Sequence, residues 1–516
     1  MSVPGDVAIP AAPPEDRPAL PLTPRPDAAP TPSRRQLFTA GAAIAASLLA
    51  PRAASAQRIV RPRTARPAAQ PVPADALYRL VVRITNGVTE EEMALARSMG
   101  FKKYLEYHLD PAAIDDTAVE TWVAANAPNI GGQGTSLFQL DRNALQLQLA
   151  YATMYRAAFS RRQFYERMVH FWTDHFTIYY PKVYYLKVID DREVVRKHAL
   201  GTFPDILRAS AHSPAMLEYL DNTRSRARSV NQNYARELME LHTLGVDGGY
   251  TQTDVEEVTR ALTGWTIQGR GNFNFDPTGH DFTAKTVLGN ALPAMSPSAG
   301  AAGIQDGETV LNILLAHPST AKFISKKMLR WLLQYDPPAA LIDRISATFT
   351  RTGGDTRAMI RDILTPANLL AATPKYRQPY QLVLAALRAT RPAIVNLSGI
   401  NRQLPTLGQP LFQWEDPDGY PDRIDWWAGL VLQRWNFCSF LTSQTTGNVV
   451  VDVTPLMQVG TPQGIADRIG RRMFADNMPA DLRTRVESYL AAAPITAARV
   501  REAFALALSS TAFQWY

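Results

Sequence analysis

Apolar residues recur at three- and four-residue spacing through most of the chain, the period of helices that bury one face. The pattern predicts helices over residues 90–99, 142–158, 162–176, 192–200, 203–211 and 233–244. It continues over 254–262, 309–316, 320–333, 339–350, 381–389 and 426–441, and through several helices between 464 and 507. Few stretches alternate as strands do. Phe273-Asn274-Phe275-Asp276 does so best, with 449–453 behind it. The expectation is an all-α, large multi-helix globular body with long irregular loops and at most a short β-hairpin. Two irregular segments interrupt the helices, 264–306 and 398–422. The second carries Asp416-Pro417-Asp418-Gly419-Tyr420-Pro421. Loops this long inside a compact body are functional or disordered.

Composition sharpens this picture at three points. With 516 residues, 46% of them hydrophobic and 20% charged, the chain can bury a large core. Its one cysteine, Cys438, excludes an internal disulfide framework and any cysteine-built metal site. The net charge of +7 divides into +4 within residues 1–77 and +3 in all the rest. A body so near neutrality has no stripe for tracking phosphates, and the Arg224–Arg228 run reads as a solvated loop, so no nucleic-acid partner is expected.

The N-terminal region reads as an address. Ser33-Arg34-Arg35-Gln36-Leu37-Phe38 is a twin-arginine pattern, followed by a mildly apolar stretch over 39–50 and by Ala54-Ser55-Ala56. The apolar stretch is too short and weak for a membrane span. The expectation is a twin-arginine signal peptide over 1–56, a Pro/Ala/Arg-rich linker over 57–77, and a helical domain over 78–516. That domain would hold a motif block at 160–290 and a C-terminal helical part at 307–516. The twin-arginine export machinery is then a partner, and the destination is periplasmic or secreted. This route carries folded proteins, often with a cofactor inserted beforehand, which favours a bound metal.

Three polar blocks are candidates for chemistry. In the first, Phe164, Met168, Phe171 and His175 share one helical stripe, which puts a histidine on an apolar face. There it is a ligand, or a core histidine bonded to backbone or carboxylate. His170 and Asp174 are four apart and can meet, as an oriented histidine or as a surface pair. In the second block, Asn233, Glu237, Glu240 and Leu244 share a stripe. Two carboxylates one turn apart share a cation, divide into acid and base, or simply face solvent with Arg236 beside them. Gly245 ends that helix, and Thr251 with Asp254 caps the next. The third block, His280-Asp281-Phe282-Thr283-Ala284-Lys285, lies in an irregular segment where packing periodicity does not account for it. No P-loop, dinucleotide fingerprint, nucleophile elbow or His-Glu-x-x-His motif is present.

These blocks, with Gly248-Gly249-Tyr250-Thr251, Ala261-Leu262-Thr263-Gly264-Trp265, His317-Pro318, Lys326-Lys327 and Gln409-Pro410, resemble the bacterial exported family known as domain of unknown function 1800. The resemblance runs from about Leu77 to the C-terminus. It implies a largely helical exported protein. It also implies a partner, because members are often encoded beside an exported sulfatase-like family. It supplies no reaction and no catalytic residues.

The residues then suggest an exported metal-assisted enzyme, a hydrolase acting on an envelope or extracellular polymer or its fragments. A divalent metal ion would be held by His175, Glu237, Glu240 and His280, with His170, Asp174 and Asp281 orienting the ligands. Glu237 and Glu240 would act in catalysis, with Lys285 and Arg236 stabilising developing charge and Asn233 placing substrate. The alternative is a non-catalytic binding or assembly partner of the sulfatase-like protein, with the same residues forming a buried structural network.

Overall fold

The computed structural model describes residues 75–516, which fall within one compact unit. The twin-arginine segment lies outside the described residues.

Helices form where the three-to-four spacing places them. Long ones include Glu90–Leu109, Arg142–Phe159, Gln163–His175, Ile304–Ala316, Pro318–Leu332 and Ala339–Thr352. Local chemistry sets their ends. The Asp141 carboxylate accepts the Ala144 N–H at 2.8 Å, and Thr251 with Asp254 forms a complete capping box at the start of Gln252–Ala261. Prolines open Pro318–Leu332, Pro379–Thr390 and Pro462–Phe474, where a missing N–H is harmless.

The body is all-α, with three small two-stranded antiparallel sheets rather than a single hairpin. Trp265–Gln268 pairs with Asn272–Phe275, and Lys285–Val287 with Asn290–Leu292. Ala393–Ile394 pairs with Val449–Val450 across a long stretch of sequence, so local pattern could not reveal it.

Two apolar cores organise the helices. The larger draws on residues from Tyr78 to Ala372, with Ala475 and Tyr516 added. The smaller runs from Met154 to Phe513 and is built around Pro379–Thr390, a helix buried on every side. No helix among the described residues is long and apolar enough to cross a membrane.

Two departures from regular geometry matter for the site. After Asn233–Glu237 the helix widens into a π-helical turn over Leu238–Thr243. There the Leu244 N–H reaches the Met239 carbonyl at 2.8 Å, and the Thr243 hydroxyl reaches the Leu238 carbonyl at 2.6 Å. Such turns accompany functional sites. The second departure is the loop 408–422. It is tied down by Tyr180 N–H to the Phe412 carbonyl at 2.9 Å and by Tyr380 N–H to Gln409 Oε1 at 2.8 Å.

Candidate functional site

The Gln163–His175 helix buries Phe164, Met168, Phe171 and His175 as its stripe requires. His175 is 1% exposed and stands among the rings of Phe171, Trp172, Phe176 and Phe203. Its Nε2 lies 3.2 Å from the His242 carbonyl. A carbonyl only accepts, so Nε2 carries the proton and Nδ1 is a bare acceptor. That Nδ1 is buried with no partner. Burial, and then the positive charge of Lys327, hold His175 far below its ordinary pKa, so it is neutral.

His170 and Asp174 do meet, at 3.4 Å, but inside the protein rather than at its surface. The His170 ring is edge-on to Trp331 and Tyr380, and its Nδ1 has no partner. Burial, with Arg167 adding, pulls His170 down to about 3. Burial also drives the Asp174 carboxyl well above the usual carboxylate range, Asp422 adding and Lys327 opposing. The His170 imidazole is therefore neutral, beside a carboxyl whose ionised form the same burial disfavours.

Glu237 opens the π turn. Its carboxyl makes no hydrogen bond or ion pair with the described residues. Burial pushes it up to about 7, with Glu240 and Asp418 adding to the shift and Arg236 opposing it. Glu240 accepts the Tyr250 hydroxyl at 3.2 Å. Arg236 is turned aside, donating to Gln252 Oε1 at 2.9 Å. Asn233 is exposed at the helix start.

Two residues the sequence reading did not select complete the group. Lys327 is partly buried on Pro318–Leu332, with its Nζ 5.5 Å from the Phe323 ring centre. It has no ion pair or hydrogen bond among the described residues. Burial, with Arg330 adding and Asp174 and Asp418 opposing, brings it down to about 8. Its charge is felt by Asp174, His175 and His242 alike. Asp418 is exposed on the 408–422 loop, where it accepts Trp414 Nε1–H at 2.8 Å. It acts electrostatically on both Lys327 and Glu237. The signal for Lys327 was present in the pattern, because Phe323, Lys327 and Trp331 follow at i, i+4, i+8 on an apolar face.

Two glycines allow this assembly. A Cβ on Gly419, at φ +75°, would stand 2.1 Å from the Asp174 carbonyl oxygen, so only glycine lets the loop rest on the end of Gln163–His175. A Cβ on Gly245, at φ +84°, would stand 2.7 Å from the Phe323 ring. Glycine there lets the lysine-bearing helix approach the end of the π turn.

The third block belongs elsewhere. His280 Nδ1–H donates to the Thr263 carbonyl at 2.8 Å, and Nε2 lies 3.3 Å from Asp306. Lys285 Nζ bonds Asp306 at 2.6 Å and the Thr283 carbonyl at 2.8 Å. Asp281 pairs with Arg260 at 2.8 Å. Each polar group is already satisfied, and the Arg260 pairing, with the hydrogen bonds from Thr283, outweighs burial to hold Asp281 at about 2. The block is a staple between the hairpin segment and Ile304–Ala316. The expected four-ligand set, His175, Glu237, Glu240 and His280, is therefore not gathered. No group of three or more His, Cys, Asp or Glu side chains among the described residues can hold a metal ion. The fixed bonds of His280 to Thr263 and Asp306 are the physical reason.

Compared with known proteins, residues 79–515 match the model of a family described as Protein of unknown function (DUF1800). No curated protein and no solved structure matches the chain.

Proposed function

We propose, for a chain that belongs to the DUF1800 family, an exported enzyme that performs general acid–base chemistry on an envelope or extracellular polymer or its fragments. One contrast carries this reading. Two buried polar networks that serve structure are hydrogen-bonded throughout: Lys285 with Asp306 and His280, and Lys187 with Asp190 and Ser213. The group around Lys327 is not. His170 Nδ1, Asp174 Oδ2, His175 Nδ1 and His242 Nε2 are buried without hydrogen-bond partners; Lys327 acts electrostatically on Asp174, His175 and His242, and Asp418 acts on both Lys327 and the unpaired Glu237. Other buried atoms among the described residues also lack partners, Arg167 Nε and Asp191 Oδ1 among them, so what marks this group is four such atoms on titratable side chains near one unpaired lysine.

In this reading Glu237 transfers the proton, since a carboxyl near 7 is half-ionised at working pH. Lys327 stabilises negative charge on a substrate oxygen, and the neutral His175 and His242 offer hydrogen-bonding nitrogens. Asp418, at the solvent side, keeps Lys327 charged. Among the described residues no group of three or more His, Cys, Asp or Glu side chains could hold a metal ion, and this reading gives the divalent ion expected from the sequence no role. A stoichiometric ion in protein purified from its native envelope would overturn that choice.

The binding-module reading is favoured by one observation, the exposure of the large apolar side chains Trp426, Leu432 and Trp435, which suits a protein partner such as the sulfatase-like one. Complementation of a deletion strain separates the two. The enzyme reading expects Glu237→Gln and Lys327→Met to fail and Leu432→Asp to function. The reverse result supports the binding module and sinks the enzyme.

A further inference from the structure

A groove of about 200 Å³ opens beside the loop that carries Asp418. Four carboxamides line it: Asn143 and Gln146 from Arg142–Phe159, Asn401 from the one-turn helix Ser398–Asn401, and Gln413 from the loop. None of these four side chains hydrogen bonds to another described residue. Leu147 and Pro405 are among the apolar groups between them, and no charged side chain lines the groove.

That lining states a ligand chemistry. Carboxamides offer a donor and an acceptor at fixed separation, which suits adjacent hydroxyls. Apolar surface between them suits the C–H face of a ring. The absence of charge suits a neutral ligand. The volume suits a hexose-sized ring rather than a drug-sized molecule. Aromatic groups extend the same loop. Trp414 follows Gln413 directly, donates to Asp418, and sits 5.9 Å from the ring of Trp426, which is 49% exposed. One short segment thus carries Gln413 of the groove, the half-buried indole of Trp414 and the acid Asp418. A peptide would use the carboxamides too, but it has less use for the exposed indole of Trp426 near the same loop.

We infer that this groove is a subsite for a neutral sugar unit of a glycan chain, holding the polymer on which the Glu237 site acts. The inference rests on the acid–base reading for what happens to the glycan, but not for its binding.

The test is titration of intrinsic tryptophan fluorescence in the full chain with chitohexaose, cellohexaose and maltohexaose. Hexaglycine and an oligogalacturonate serve as peptide and anionic comparisons. At least one neutral hexasaccharide should bind. Affinity should fall by about tenfold or more in the Gln146→Ala/Asn401→Ala double variant, whose melting temperature should match wild type because both side chains are surface groups without partners. Trp426→Ala should weaken the same glycan. Failure of all three glycans, equal binding by the double variant, or hexaglycine or oligogalacturonate binding in their place would overturn the inference. Glu237→Gln should bind the glycan as wild type does. Lost glycan binding therefore counts against the subsite alone, and a functional Glu237→Gln counts against the acid–base reading alone.

Discussion

At the scale of single residues the protein holds two kinds of buried charge. Asp306 is surrounded by His280 and Lys285, and removing a partner leaves a buried carboxylate exposed to its own desolvation. Lys285→Met should therefore lower stability by about 3 kcal/mol, read from chemical denaturation. Glu237 behaves oppositely. Its folded pKa, about 7, lies above the unfolded value, so the folded state binds the extra proton between the two. The penalty of its ionisation is absent below the ordinary carboxylate range and complete above pH 7. Glu237→Gln should match wild type in stability near pH 4 and exceed it at pH 8. The gain is about 1 kcal/mol once solvent screening of this half-buried group is allowed for. Denaturation at the two pH values checks it, and a gain equal at both would remove the linkage. The sequence made Glu237, His175, His170 and Asp174 legible as candidates because polar groups interrupted apolar stripes. It could not show that His280 is saturated, since Asp306 lies 26 residues away beyond the Lys285–Leu292 hairpin.

At the scale of elements the site depends on a π turn and a glycine contact. A period of 3.6 residues puts Asn233, Glu237, Glu240 and Leu244 on one face. The widened Leu238–Thr243 turn shifts Glu240 and Leu244 out of that register, while Asn233, at the helix start, is exposed and Glu237, four residues on, is half-buried. No local spacing announces a π turn, and the exposure of Asn233 follows instead from its place as the first residue of the helix. The loop 408–422 was recognisable as irregular and its Asp-Pro-Asp-Gly-Tyr run as turn-forming, but its landing point on Asp174 is a long-range contact. Gly419→Ala should lift the loop from the helix end. Stability should fall by about 2 kcal/mol through strain at positive φ and the clash with the Asp174 carbonyl. Function should fall with it, because Asp418 moves with the loop. Proteolysis within 413–422, monitored by mass spectrometry, should speed up. An unchanged cleavage rate would show that the loop does not need this contact.

At the scale of the whole molecule, helical periodicity carried the all-α architecture, because each amphipathic face must be buried against another. It could not carry the division into two cores or the Ala393–Ile394 to Val449–Val450 pairing, both set by distant contacts. Export is a whole-chain property too. Arg34→Lys with Arg35→Lys should leave full-length precursor in the cytoplasmic fraction, read by immunoblot after fractionation. Unaltered export would remove the twin-arginine assignment. The broader claim is that a well-packed scaffold sustains a cluster of unpartnered ionisable groups for the sake of chemistry. Lys327 is its centre. Its folded pKa of about 8 lies below the unfolded value, so its charge is destabilising in full below pH 8, and that penalty fades as pH rises toward the free lysine range. The most direct measurement is the stability of Lys327→Met at pH 7 against wild type and Lys285→Met, with complementation in parallel. The account predicts that Lys327→Met is more stable than wild type by about 2 kcal/mol and yet inactive, while Lys285→Met is less stable. A Lys327→Met protein destabilised as Lys285→Met is, or one that still supports function, would contradict it.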